Sequence, residues 1–379
     1  MDSRITPPIV NTAAGLRELI SDLKGHSLIA VDTEMDCFYH YYNKVCLLQI
    51  SAGNADYLVD PLCLDLEPLN EIFSDPGCTA VFHAGVNDVP HLYKDHHIVF
   101  SSIYDTYASA ELLNLPNKGL AGLVKEYFDI EIDKKYQKAD WTVRPLSPEM
   151  DHYARYDTRF LISIWEHIKP MLMDAGLWDT ALQSFRSIVG TRLAEHVFNP
   201  DGWTGIKNAR SLDPGSYAVA KRIYICREKL AQKHDLAVFR VFPDHVVVKL
   251  ALDRPRSLSD LEAEFCGSKY WESILCWHTA ILDAVFEGIA DGMIPWPADK
   301  SRKGQRMTKE QIQAYERLRE WRNTMTGKGL ISPALLTNKM LAAIVHRMPR
   351  SVKELMSMDI SSAVILKENG SEIIELLKG

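Results

Sequence analysis

Hydrophobic and polar positions alternate in two different ways along this chain. Over roughly the first 170 residues, short apolar runs trade places with segments of helical spacing. LIAVDTEM, VCLLQIS, DYLVD, TAVFH and IVFSSIYDT read as strands, and LEPLNEIF, VNDVPHLYKD, ASAELLN and LAGLVKEYF as helices. Strands alternating with helices of about ten residues predict an α/β domain with a mixed sheet flanked by helices. The stretch from Ser147 to Met173 predicts one long helix, with Ser147 as cap, Pro148 in the first turn and Gly176 as the stop.

Past residue 204 the strand alternation fades and helical periodicity takes over. REKLAQKHDLAVFRVFPDHVVVKLALDRPRSLSDLE and REWRNTMTGKGLISPALLTNKMLAAIVHRMPRSVKELM follow one plan. Each runs from a basic helix through an irregular turn and an apolar helix to Pro-Arg-Ser, where Pro ends one helix and Ser caps the next. Two copies of one small helical domain are expected. The pattern divides the chain into an α/β domain (1–173), a helical connection (174–204), a first helical domain (205–292), a linker (293–308) and a second helical domain (309–379).

Composition excludes several classes. With 379 residues, 46% hydrophobic and 25% charged, the chain is not collagen-like, low-complexity or disordered. The apolar runs fall short of the roughly 18 residues of a membrane span, so no membrane partner is expected. MDSRITPPIV lacks the features of a signal peptide, and seven cysteines without a CxxC pair suit a reducing, cytoplasmic compartment. The net charge of -7 is uneven: residues 1–175 carry −12, residues 176–379 carry +5. An acidic front suits cations, and a basic tail suits phosphates.

Five residues stand out as candidate chemistry. Asp32 and Glu34 alternate on one strand, so both carboxylates face one side. Asp88 begins a helix after TAVFH and Ala84-Gly85, and Tyr153 and Asp157 lie one turn apart on a helix. Side-by-side anions are unfavourable unless a cation joins them. Four hard oxygen ligands from three elements suit two ions, Mg²⁺ or Mn²⁺, and two such ions can drive phosphodiester hydrolysis. A tyrosine beside the last carboxylate can orient the attacking water.

In VDTE, HAGVND and YARYD the sequence resembles the three motifs of the DEDD exonuclease superfamily, in its tyrosine-bearing branch. YLVDPL, IYDT, KKYQKADWTVRPLS and WTGIKNARSLDP are similar to ribonuclease D and the exosome-associated nuclear 3′ exonuclease. The helical blocks resemble the helicase-and-RNase-D C-terminal (HRDC) domain. This resemblance implies a ribonuclease H-like exonuclease fold followed by two HRDC-like domains. It implies metal ligation by Asp32, Glu34, Asp88 and Asp157, with Tyr153 positioning the water. The implied reaction is release of 5′-nucleoside monophosphates from RNA with a single-stranded 3′ end, tRNA precursors and other structured RNA being the expected partners. Asn87 departs from the family pattern, which often has another acidic or polar residue there. A DNA exonuclease and a non-cutting RNA scaffold are the alternatives, and the oligomeric state is open.

Neighbouring residues admit two readings. Lys134, Lys135, Tyr136, Lys138, Trp141 and Arg144 interleave bases with aromatics, a mixture suited to single-stranded nucleic acid. Lys135, Trp141 and Arg144 are the candidate substrate contacts, and the competing reading makes Trp141 a core anchor among solvated lysines. His83 reads equally as a substrate neighbour or a structural histidine. Asp105 reads as a helix cap, and His91, His96 and His97 match no zinc spacing. Lys300, Arg302, Lys303, Arg306 and Lys309 form a solvated linker or an RNA tether.

Overall fold

The structure is a computed structural model that describes residues 4–36, 38–193, 197–297, 307–328, 331–358 and 363–378. It divides into two compact units. One takes residues 1–35, 45–193 and 305–379, the other 36–44 and 194–304.

In the first unit α1 (Ala13–Leu23) precedes β1 (Leu28–Met35), β2 (Val45–Ala52) and β3 (Ala55–Val59). Then come α2 (Asn70–Phe73), β4 (Thr79–Phe82), α3 (Asp88–His96), β5 (Ile103–Asp105), α4 (Thr106–Leu112) and α5 (Leu120–Phe128). Three helices follow: α6 (Pro148–Arg159), α7 (Leu161–Asp174) and α8 (Trp178–Gly190). The sheet runs β3-β2-β1-β4-β5. β1 pairs antiparallel with β2 and parallel with β4, so the mixed sheet is as expected. β2 and β3 are buried throughout, because helices cover this sheet on both faces.

Three expectations are corrected here. The single helix over 147–173 is two helices meeting at Phe160, although Ser147 does cap the first by accepting from the Met150 amide. IVFSSIYDT contributes only the three residues of β5. Residues 174–193 are part of the first unit's core rather than a connection, since α8 buries Ala181, Phe185 and Ile188 within it. The amphipathic helix α1 lies outside the predicted elements, and Leu16, Leu19, Ile20 and Leu23 give it a clear buried stripe.

The second unit holds α9 (Pro214–His234), α10 (Val238–Val241), α11 (Asp244–Asp253), α12 (Leu258–Phe265) and α13 (Trp271–Asp291). The β1–β2 loop belongs to it: Tyr41 bonds Glu228 and Gln232, and Arg240 donates to the Phe38 carbonyl at 2.7 Å. α13 is long and apolar enough to cross a membrane by length and composition alone. Here its Ile274, Ile281, Val285 and Gly288 are buried in the unit's own core.

The chain then returns to the first unit with α14 (Lys309–Gly327), α15 (Asn338–Arg347), α16 (Val352–Met356) and α17 (Ala363–Lys378). Leu318, Leu335, Leu336 and Ile344 join the same apolar core as the strands of the sheet, and Ser332 donates to the Glu111 carbonyl. The second helical domain therefore packs as part of the first unit.

The internal repeat is visible residue by residue. α11 and α15 each end on a left-handed residue, Arg254 and Met348, just before Pro255 and Pro349. Ser257 and Ser351 then cap the next helices by accepting from the Asp260 and Glu354 amides. Arg227 and Arg322 both donate at 3.0 Å to a carbonyl ahead of the apolar helix, that of Phe242 and of Leu336. Of the basic segment, Lys300, Arg302, Lys303 and Arg306 lie outside the described residues, and Lys309 opens α14.

Candidate active site

Asp32 and Glu34 sit on β1 opposite Gln49 and Leu47 of β2, both carboxylates on the face covered by α6. The strand's register shifts directly after Glu34, where pairing with β2 becomes irregular.

Asp88 is delivered by a turn that needs glycine at position 85. A Cβ on Gly85 would lie 2.7 Å from the Phe82 Cβ and Cγ, so glycine is required there. Ala84 takes a φ of 63°, and Asp105 accepts from the amides of Ala84, Gly85 (2.7 Å) and Ala108 (2.8 Å). Asp105 is thus the helix cap expected of it, and it also fixes the turn. Asp88 accepts a hydrogen bond from the Thr33 hydroxyl.

Tyr153 and Asp157 come from α6, which is locked to the sheet from its other side. Arg159 donates to Asp56 at 2.8 Å, and Ser51 links Asp56 (2.6 Å) to the Thr158 hydroxyl (2.7 Å). Arg155 grips Asp151 and reaches the Pro7 carbonyl at 2.9 Å. Sequence reasoning missed this clamp. Arg155 and Arg159 are one turn apart in YARYDTR, but their partner Asp56 is about a hundred residues away.

A cavity of about 580 Å³ opens on these groups, lined by Asp32, Glu34, His83, Lys134, Tyr153 and Asp157 among others. Burial raises the carboxyl pKa of Asp32 well above normal, and the charges of Asp88, Asp157 and Glu34 raise it further. Glu34 rises likewise, by burial and then by Asp157 and Asp88. Burial pushes Asp157 up to about 7. It does the same to Asp88 against the opposing bond from Thr33. Tyr153 is driven far above the ordinary phenol value by burial and by Asp157, Glu34 and Asp32, so it keeps its proton. Its ring lies between those of Tyr136 (5.8 Å) and Trp141 (6.0 Å).

These groups fit divalent cations by chemistry: four mutually repelling hard-oxygen donors, Asp88 and Asp157 buried and Asp32 and Glu34 half-buried. Among the described residues, no three His, Cys, Asp or Glu side chains already form a metal cage. Asp88 is turned to Thr33. Gln49, fully buried beside Asp32, has neither amide atom paired with a protein group.

The three substrate candidates separate. Trp141 is 1% exposed and packs with Cys46, Leu58 and Tyr153, so it is a core anchor. Arg144 is a structural latch. Its guanidinium holds Asp60 through Nε (2.6 Å) and Nη2 (2.9 Å) and donates to the carbonyls of Cys46, Trp141 and Val143. That arrangement occupies all five N–H groups, leaving none for a phosphate. Arg144→Ala is expected to cost about 3 kcal/mol by stranding buried Asp60, with Arg144→Lys a poor rescue. Thermal melting and an RNA titration check this: a lower Tm with unchanged affinity is expected, and weaker binding at unchanged Tm contradicts the latch. Lys135 alone stays exposed, its Nζ 5.3 Å from the Tyr136 ring centre. It lines a second cavity of about 530 Å³ with Tyr136, His152 and Tyr156.

Comparison with known proteins agrees with this geometry. Residues 7–173 match the 3′-5′ exonuclease family, and residues 216–268 and 311–377 match the HRDC domain. The chain is 31% identical over 265 residues to the exosome complex exonuclease RRP6 of Saccharomyces cerevisiae, covering 66% of this chain and 36% of that protein. It spans about a third of the length of the curated relatives it matches. The catalytic core of RRP6 from Trypanosoma brucei superposes with a TM-score of 0.68 at 28% identity, covering 76% of this chain and 80% of that one. RNase D of Escherichia coli shares the fold over 98% of both chains, with a TM-score of 0.66 at 23% identity. Nuclease motifs on the strands and helix the resemblance requires, with HRDC modules behind them, make residues 7–173 a DEDD 3′-5′ exonuclease domain, of a divalent-metal-dependent family, followed by HRDC domains as in ribonuclease D-like proteins.

Proposed function

We propose that the protein removes 5′-nucleoside monophosphates one at a time from the single-stranded 3′ end of RNA. The observation that carries this reading is the convergence of Asp32, Glu34, Asp157 and a neutral Tyr153 on one cavity wall, with Asp88 buried beside them and bonded to Thr33. Asp32, Glu34, Asp88 and Asp157 would hold two divalent ions, Mg²⁺ or Mn²⁺. Ions bound there supply the positive charge that activates a water and steadies the leaving 3′ oxygen.

The chain's own groups do the rest. Tyr153 carries its proton at working pH and so donates, orienting the attacking water from one turn above Asp157. The rings of Tyr136 and Trp141 fix its direction. Lys134 in the cavity and Lys135 beside it meet phosphates of the strand, and Tyr136 and Tyr156 offer faces on which unpaired bases stack. The HRDC modules add grip on structured RNA. Precursors of tRNA are the proposed substrates, and the likeness to exosome-associated nucleases supports RNA 3′ trimming more broadly.

A time course on 5′-labelled RNA with a single-stranded 3′ tail tests this, with Mg²⁺, Mn²⁺ or EDTA. The expected result is a metal-dependent ladder shrinking from the 3′ end. Intact RNA in every metal lane, together with a shifted band in a binding gel, makes the protein a scaffold instead.

A further inference from the structure

His83 directly follows β4 and lines the same cavity as Asp32, Glu34 and Asp157, yet it takes no part in the metal-binding cluster or in positioning the water. Its Nδ1 lies 2.9 Å from the Thr106 hydroxyl, which in turn lies 3.0 Å from the Phe82 carbonyl oxygen. A carbonyl can only accept, so the single hydroxyl proton of Thr106 goes to Phe82. The hydroxyl must therefore accept from His83, which fixes the proton on Nδ1 and leaves Nε2 with its lone pair. Thr106 is completely buried in the first turn of α4, so the clamp is rigid. The Tyr107 ring meets the imidazole edge-on at 5.6 Å and holds its plane. Burial lowers the His83 pKa to about 4, so the ring stays neutral near pH 7. Among the described residues no protein group bonds Nε2.

The cavity therefore presents one neutral, pre-oriented acceptor beside its charged groups. An acceptor repels phosphate oxygens and attracts a hydrogen-bond donor. On an RNA 3′ end the donors common to every nucleotide, whatever its base, are the sugar hydroxyls. We propose that His83 is a specificity residue, taking a hydrogen bond at Nε2 from a hydroxyl of the 3′-terminal ribose. This rests on the exoribonuclease reading and adds to it a reason to prefer a ribose end.

The test uses one RNA sequence ending in ribose, in a 2′-deoxy or in a 3′-deoxy nucleotide, with wild type, His83→Phe and His83→Gln in Mg²⁺ and Mn²⁺. For wild type, kcat/KM is expected to fall about 10-fold on at least one deoxy end, the size of one lost hydrogen bond. In His83→Phe, which keeps a ring against Tyr107 but lacks the acceptor, that difference should shrink to within about 2-fold, and His83→Gln should restore part of it. Equal loss on all three substrates in His83→Phe overturns the proposal in favour of a role in seating the Asp88 turn. So does a wild type that cuts all three ends equally. If a variant fails to fold, the wild-type comparison still decides. A wild type that cuts none of the three with either metal overturns the exoribonuclease reading itself, a distinguishable result.

Discussion

Asp157→Asn is expected to lower 3′-nucleotide release by about 1,000-fold or more while leaving RNA affinity within about 3-fold, because it keeps shape and removes only charge. The same change should act in the opposite direction on stability. Burial raises the Asp157 carboxyl to about 7 in the folded protein. The native state then keeps a proton that the unfolded chain releases above about pH 4. Stability from this group falls as pH rises from the unfolded value through about 7. Asparagine has no proton to lose. In EDTA at pH 8, Asp157→Asn should melt above wild type, and the gap should close near pH 4. Adding Mg²⁺ or Mn²⁺ should raise the wild-type Tm by binding linkage and the variant's less. Calorimetry with and without metal, beside a rate assay, checks both halves. A variant that cuts at near wild-type rate, or melts lower in EDTA at pH 8, contradicts the assignment of Asp157 to the cation-binding cluster.

The opposed signs express how the site is built. Folding brings four carboxylates from β1, α3 and α6 into a setting that penalises each of them. Burial of Leu47, Leu58 and Ala154 around them, and the Asp56 clamp on α6, hold the arrangement together. This placement was legible in the sequence because it follows from local periodicity. Asp32 and Glu34 share a strand face, Tyr153 and Asp157 share a helix face, and Gly85 marks the turn before Asp88.

Long-range partners set what was not legible. Trp141 and Arg144 look like a nucleic-acid patch until Asp60 and the Cys46 carbonyl come alongside, and both lie more than eighty residues upstream. The RPRS and MPRS repeat told the number of helical modules correctly. It could not tell that the second packs into the nuclease core, since that depends on Ser332, Leu335 and Leu336 meeting a surface formed by α4. The sequence admits two readings of His83 for the same reason: its role turns on Thr106, and that pairing exists only once β4 and β5 are side by side.

Gly288→Ala should destabilise the second unit by about 3 kcal/mol, although helix propensity alone argues for a gain of about 1 kcal/mol. Gly288 lies in α13 where it crosses α9. A Cβ there would stand 2.4 Å from the Val219 Cα and 2.8 Å from its backbone nitrogen. These are main-chain atoms in the second turn of a 21-residue helix, so no side chain can swing away to make room. The flanking residues of α9, Ala218 and Ala220, are themselves small and buried, which lets the two backbones approach this closely. The methyl must push the helices apart and open gaps around Ile223, Ile281 and Val285. Gly327, in the last turn of α14, has open space where its Cβ would go, so Gly327→Ala is the matched control. Thermal denaturation read by calorimetry decides between the two forces. A lower transition in Gly288→Ala beside an unchanged or higher one in Gly327→Ala means close packing governs this crossing. An equal rise in both means that propensity wins and α9 and α13 sit farther apart than 2.4 Å implies.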